Sequence, residues 1–141
     1  MSESIDVLTI AQARAAVERG KEIEMVLTQP HAAVPPPSVA VDMVGKYVIV
    51  RCQAAGVHAG VLVTTAGRSC LLSEARRLWR WRVPKGAPDF LSGVATHGLA
   101  DEHCKIGAPV RIALTENCEI IECSSAAEAS IRGFATCTRT Q

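Results

Sequence analysis

The sequence predicts a small α+β domain rich in β structure: an antiparallel sheet or partly open barrel carrying two short helices, preceded by an N-terminal helix-strand arm. Three observations predict it. Apolar residues recur at a period of two in several short runs. Turn signals built on glycine separate those runs. Helix start and stop signals are confined to a segment near the start, one after Pro88 and one after Cys123. With 141 residues, 48% of them hydrophobic and 21% charged, the chain has material for one domain with a modest core; two full domains would be a squeeze.

The arm comes first. Thr9 and Gln12 have capping-box spacing, so Thr9 can accept from the amides of the first turn while Gln12 reaches back. The helix runs through AQARAAVER and stops at Gly20, which tolerates the left-handed conformation of a C-terminal cap. Lys21 to Leu27 then puts Ile23, Met25 and Leu27 on one face of a strand. A stretch this short buries little apolar surface by itself, so those three side chains need another surface and are interface candidates. In QPHAAVPPPSVAV, Pro30, Pro35, Pro36 and Pro37 remove backbone donors and favour an extended spacer. The expected organisation is an arm over residues 1–29, a proline-rich linker over 30–42 and a main β-rich domain over 43–141.

The main domain opens with GKYVIVRC, whose Tyr47-Val48-Ile49-Val50 is strongly β-prone. VHAGVLVTT and SCLLSEARRLWRWRV flank Ala66-Gly67 and read as a hairpin. Pro88 through Thr96 reads as a short helix ended by Gly98. A second hairpin is expected in APVRIALTENCEIIEC, with Val110, Ile112 and Leu114 on one face and Glu116-Asn117 at the turn. Ser125 and Glu128 repeat the capping-box spacing before a last helix, which Gly133 closes.

Composition narrows the function classes. A net charge of +1 argues against a protein that coats a long polyanion, so any nucleic-acid role is local. No apolar run reaches the roughly 18 residues of a membrane-crossing helix, and the acidic start Met1-Ser2-Glu3-Ser4-Ile5-Asp6 does not resemble a secretory signal. A soluble protein made in the cytoplasm is expected. The six cysteines then read as reduced, mostly buried small hydrophobes. Cys137, in the polar tail, and Cys104, in a loop after Asp101-Glu102-His103, are the candidates for cross-links between chains if the protein later meets oxidising surroundings.

KYVIVRC, GVHAG, ARRLWRW and LTENCEIIEC, taken in order, resemble the segments shared by a family of small tailed-bacteriophage proteins catalogued as a domain of unknown function. The resemblance covers roughly residues 45 to 133 and leaves out the arm. It implies a viral setting, a virion component or an accessory protein of the infected cell, and supplies no activity.

The densest positive charge carries the candidate site. Residues 68–85 hold Arg68, Arg76, Arg77, Arg80, Arg82 and Lys85 against Glu74 alone. Alternation along a strand would put Trp79, Trp81 and Val83 on one face and Leu78, Arg80 and Arg82 on the other. Three readings fit: a solvated strand whose tryptophans are core residues, a protein interface, or a nucleotide or nucleic-acid surface. The charge segregation favours an oriented contact with an acidic partner, so Arg76, Arg77, Trp79, Arg80, Trp81 and Arg82 are the interface candidates.

Chemical signatures are sparse. The loop Ala54 to Gly60 lacks the lysine and hydroxyl of a phosphate-binding loop and reads as a bend or bulge with close backbone packing, and His58 within it as a hydrogen-bonded structural group. His97, His103 and Cys104 lack the paired spacing of a zinc site. Glu116, Glu119 and Glu122 at intervals of three would be divided between strand faces. Neither a catalytic group nor a metal or cofactor is expected. The expected function is a non-enzymatic virion structural protein, a capsid decoration or accessory component docking on capsid or tail subunits and on further copies of itself. The competing expectation is an intracellular phage module that binds a nucleotide, nucleic acid or host protein.

Overall fold

The structure, a computed structural model, describes residues 38–139. The arm, with Ile23, Met25 and Leu27, lies outside the described residues. Ser38 caps a 3-10 turn, Val39–Met43, its side chain accepting from the Ala40 amide at 3.1 Å, and Ala40 is buried.

Six strands form one open antiparallel sheet: β1 (Tyr47–Cys52), β2 (Gly56–Ala66), β3 (Ser69–Arg80), β4 (Lys105–Ile106), β5 (Val110–Leu114) and β6 (Asn117–Glu122). The order β4-β3-β2-β1-β6 has β5 on the same side of β3 as β4, so Lys105 to Leu114 acts as one edge interrupted at Gly107-Ala108-Pro109. Among the described residues two helices accompany the sheet, α1 (Leu91–His97) and α2 (Ser125–Gly133). Neither is long and apolar enough to cross a membrane.

The expected first hairpin is present, with Ala66 opposite Ser69 and Gly67 at φ +55°, a conformation glycine adopts without penalty. The second expected hairpin is not. Val110–Leu114 and Asn117–Glu122 flank a tight turn, but β5 pairs with β3 and β6 pairs with β1. Five neighbouring strands laid flat would separate the two edges by about 19 Å. Thr115 and Glu116 span no more than about 10 Å, so the sheet must curl at this end. Two hydrogen bonds fasten the curl: the Asn117 amide donates to Arg68 O at 3.0 Å, and the Gln53 amide to Glu116 O at 3.2 Å.

Curling gives the sheet an inner and an outer core, and β1 serves both. Val48, Val50 and Cys52 join Leu62, Cys70, Leu72, Ala75 and Leu114 inside the curl. Tyr47 and Ile49 face outward with Ala59, Leu78 and Ile106, under Leu91, Val94 and Ala95 of α1 and Ile131 of α2. Burial on both faces is why Tyr47-Val48-Ile49-Val50 is continuously apolar rather than alternating. The last helix begins one residue earlier than its capping signal predicts: Ser124, not Ser125, caps it, accepting from the Ala127 amide at 3.0 Å.

Candidate functional site

The arginine-tryptophan segment lies at the end of β3, and its faces are set by an irregularity upstream. Cys70 and Leu72 point into the curl; the register with β5 then shifts between Leu72 and Ala75, and Glu74 takes a left-handed φ of 53°. The extra residue changes the phase of the strand. Beyond it Ala75 points into the curl, Arg76 and Leu78 point toward the helices, and Arg77 and Trp79 are solvent-exposed on the side away from the helices.

This corrects the assignment of Arg76 to the interface. Arg76 is not a surface residue: it is 3% exposed and donates from Nε to Gly107 O at 2.8 Å, and from Nη1 to Ile131 O at 2.6 Å and Phe134 O at 2.7 Å. Nη1 also reaches Arg132 O at 3.4 Å, and Nη2 reaches Thr136 Oγ1 at 3.2 Å. The guanidinium therefore caps the carbonyl end of α2, where a helix leaves acceptors unpaired and the dipole favours a cation. Trp79, one of the interface candidates, is 70% exposed and is not the core residue of the solvated-strand reading. The strand ends at Arg80, so alternation no longer governs Trp81, which packs half-buried against the outer core, or Val83, which is buried.

Arg77 and Trp79 form the surface feature that remains. The Arg77 guanidinium lies over the Trp79 ring, 5.5 Å from its centroid, within cation-π range. It also lies against Gly56: a Cβ there would come within 3.0 Å of Nη2, and Gly56 has a φ of +84°. Arg77 is thus held by a turn and a ring rather than by an acid. His58, its cross-strand neighbour on β2, is buried with Nε2 2.9 Å from Ala55 O. Burial pulls the His58 pKa down, the Ala55 acceptor opposes, and the Arg77 charge lowers it further.

The surrounding charge is unbalanced. Among the described residues Arg77, Arg80, Arg82, Lys85 and Lys105 make no ion pair, whereas Lys46 meets Glu122 at 3.3 Å, Arg51 meets Glu119 at 2.7 Å, and Arg132 meets Glu74 and Glu128. A shallow basin of about 760 Å³ next to Arg82 and Lys85 is shared with Asp89, Asp101, Glu102 and His103 and carries both signs. A groove of about 360 Å³ runs between Trp81, Phe90, Val57 and Ile121.

The remaining candidates do not converge. Among the described residues no group of three or more His, Cys, Asp or Glu side chains has metal-binding geometry, and His103 instead meets Glu102 at 2.9 Å. Glu119 and Glu122 are engaged by Arg51 and Lys46. All six cysteines are free thiols. Cys137 is exposed, with its amide tied to Ile106 O at 2.8 Å; Cys104 is half-buried, its Sγ 3.6 Å from Ala100 O. Burial raises the thiol pKa of Cys52 and Cys70 and pushes that of Cys123 up to about 12. The expected bulge with close packing lies within β2: a Cβ on Gly60 would lie 2.8 Å from Ser73 O, where the β2–β3 register shifts.

The anchoring role of Arg76 had one signal in the sequence. Two adjacent arginines in a strand point to opposite faces, so one of the Arg76-Arg77 pair had to turn inward.

Fold and site together define a small curled antiparallel β domain with a basic-aromatic surface. The chain belongs to the family described as a domain of unknown function, DUF6948, which matches residues 45–131. No curated protein and no solved structure matches the chain.

Proposed function

We propose that this chain is a non-enzymatic docking protein of a bacteriophage particle, an accessory or decoration component, and that its curled sheet is a partly open barrel attaching to a neighbouring capsid or tail subunit through Arg77 and Trp79. The phage setting rests on the resemblance of the four motifs. The docking role rests on one observation: an exposed tryptophan stacked under an arginine that no carboxylate neutralises. Trp and Arg are the residue types that dominate binding energy at protein interfaces, and a pair already ordered loses little side-chain freedom on binding.

The experiment is attachment. Particles of the phage that encodes the chain are purified and its copy number is measured by quantitative mass spectrometry, for the natural protein, for Trp79→Ala and for Gly56→Ala. The natural protein is expected in stoichiometric amount. Loss of an interface tryptophan costs at least about 2 kcal/mol, a thirtyfold weakening. Gly56→Ala dislodges Arg77 without removing the ring and should weaken attachment by less. A protein absent from particles rejects the virion role and leaves the intracellular binding module; full attachment of Trp79→Ala rejects the surface.

A further inference from the structure

The sheet ends in two edges, and their chemistry is complementary. Cys123 donates its amide to Tyr47 O at 2.9 Å, which makes Tyr47 and Cys123 a hydrogen-bonded pair of the β1–β6 ladder. In the continuing register, Val48 opposite Glu122 through Arg51 opposite Glu119, alternate pairs are hydrogen-bonded. Ile121 and Glu119 therefore bond to β1, while the backbone groups of Ile120 and Glu122 point away from the sheet; Cys118 sits where the register shifts between Arg51 and Cys52. Among the described residues nothing pairs with the outward groups. At the other end, β5 pairs with β3 alone. Such edges are templates for another strand.

We infer that the chain assembles head to tail, β5 of one copy pairing with β6 of the next. Charge decides which edges meet. β6 carries Glu119 and Glu122, so two β6 edges together would bring acids into one ladder; β5 carries Arg111, exposed and without an ion pair among the described residues. Like charges across a strand pair destabilise it and opposite charges support it. The faces agree as well. Ile112 and Ile120 both pack toward the inner core, so Arg111 and Glu119 both fall on the outer face. Continuing the sheet from β5 into the next copy's β6 extends the apolar inner face and sets Arg111 near Glu119, whose second carboxylate oxygen is left over from the Arg51 contact. Two different edges meeting make a heterologous contact, which closes into a ring or runs on as a filament. This interface is separate from the Arg77–Trp79 surface and stands without it.

Native mass spectrometry of the full chain tests this, with circular dichroism as the check on folding. The natural protein should show closed or growing assemblies of three or more copies. Glu122→Pro deletes one outward amide, on an edge where proline is tolerated, and leaves the β1 ladder intact; it should give monomers, and Glu122→Ala should assemble like the natural protein. Arg111→Glu, which alters no backbone donor, should also give monomers and decides the matter should Glu122→Pro fail to fold. A natural protein that is monomeric or stops at a dimer at high micromolar concentration overturns the inference, as do assemblies that survive both folded variants.

Discussion

Replacing Arg76 should be the most damaging single change on β3, although the side chain touches no partner. Its three short hydrogen bonds end on the carbonyls of Gly107, Ile131 and Phe134, so one guanidinium joins β3, the break between β4 and β5, and the end of α2. Removing it in Arg76→Met keeps volume and apolar contact but leaves those acceptors buried without donors. Bonds to a charged group are worth about 1.5–3 kcal/mol each. Their sum overstates the loss, because the guanidinium no longer has to be desolvated and part of the site can take up water. A net loss of about 3–5 kcal/mol is expected, the range for breaking a buried charged network. For a described unit of this size that lowers Tm by on the order of 20 °C.

Urea unfolding followed by circular dichroism measures this. Arg76→Lys should fall between the two, since an ammonium keeps the charge but reaches fewer of the acceptors. Arg80→Gln is the contrast: Arg80 is exposed and unpaired among the described residues, and its loss should change stability by less than about 0.5 kcal/mol. If Arg76→Met unfolds within about 1 kcal/mol of the natural protein, the buried arginine does not hold these elements together and the capping account fails.

Two further outcomes follow from buried polar groups. Tyr47 Oη is buried and has no hydrogen-bond partner among the described residues, so Tyr47→Phe should leave stability unchanged or raise it by up to about 1 kcal/mol; a loss beyond about 1 kcal/mol would mean the hydroxyl has a partner. His58 is held neutral by burial, so the unfolded chain binds its proton more readily than the folded one. The stability His58 contributes is complete above its ordinary value of 6.5 and is lost as pH falls from there through its lowered folded pKa. In urea midpoints taken between about pH 8 and pH 5, His58→Gln should lose less stability than the natural protein on acidification; parallel curves would show that His58 does not titrate with unfolding.

What the sequence discloses and what it hides divide along a physical line. The β2–β3 hairpin is legible because its turn is local: Gly67 supplies the positive φ that a tight hairpin turn requires, and the flanking strands pair across it. The residues of β5 and β6 are equally legible as strands, yet their partners are not, because apolar alternation says which face is buried and nothing about which edge is free. The start of the last helix is read to within one residue, since Ser124 and Ser125 are chemically the same cap, whereas α1 begins at Leu91, three residues after Pro88, with no side-chain cap to mark it. At the candidate site, the basic and aromatic residues are visible but their orientation is not. Nothing in Ser73-Glu74 announces a left-handed residue, and that one residue decides whether Trp79 faces protein or solvent.

The buried arginine and the exposed tryptophan are one consequence of that phase shift. The end of α2 presents the carbonyls of Ile131, Arg132 and Phe134 beneath β3, and acceptors in that position need a donor from the strand. With the bulge at Glu74, Arg76 meets them and Leu78 follows it into the outer core, which forces Arg77 and Trp79 to the other side. A strand slipped by one residue would turn Arg77 and Trp79 toward the helices, put Arg76 and Leu78 on the surface, and move the Arg77 guanidinium away from Gly56. Ion pairing at the bulge holds the phase: Arg132, on the helix that Arg76 caps, meets Glu74 itself and lays its guanidinium 4.9 Å from the centroid of the Tyr47 ring. The same contacts that lock α2 to the sheet therefore present Arg77 and Trp79 outward, and the surface proposed for docking is set by the core beneath it.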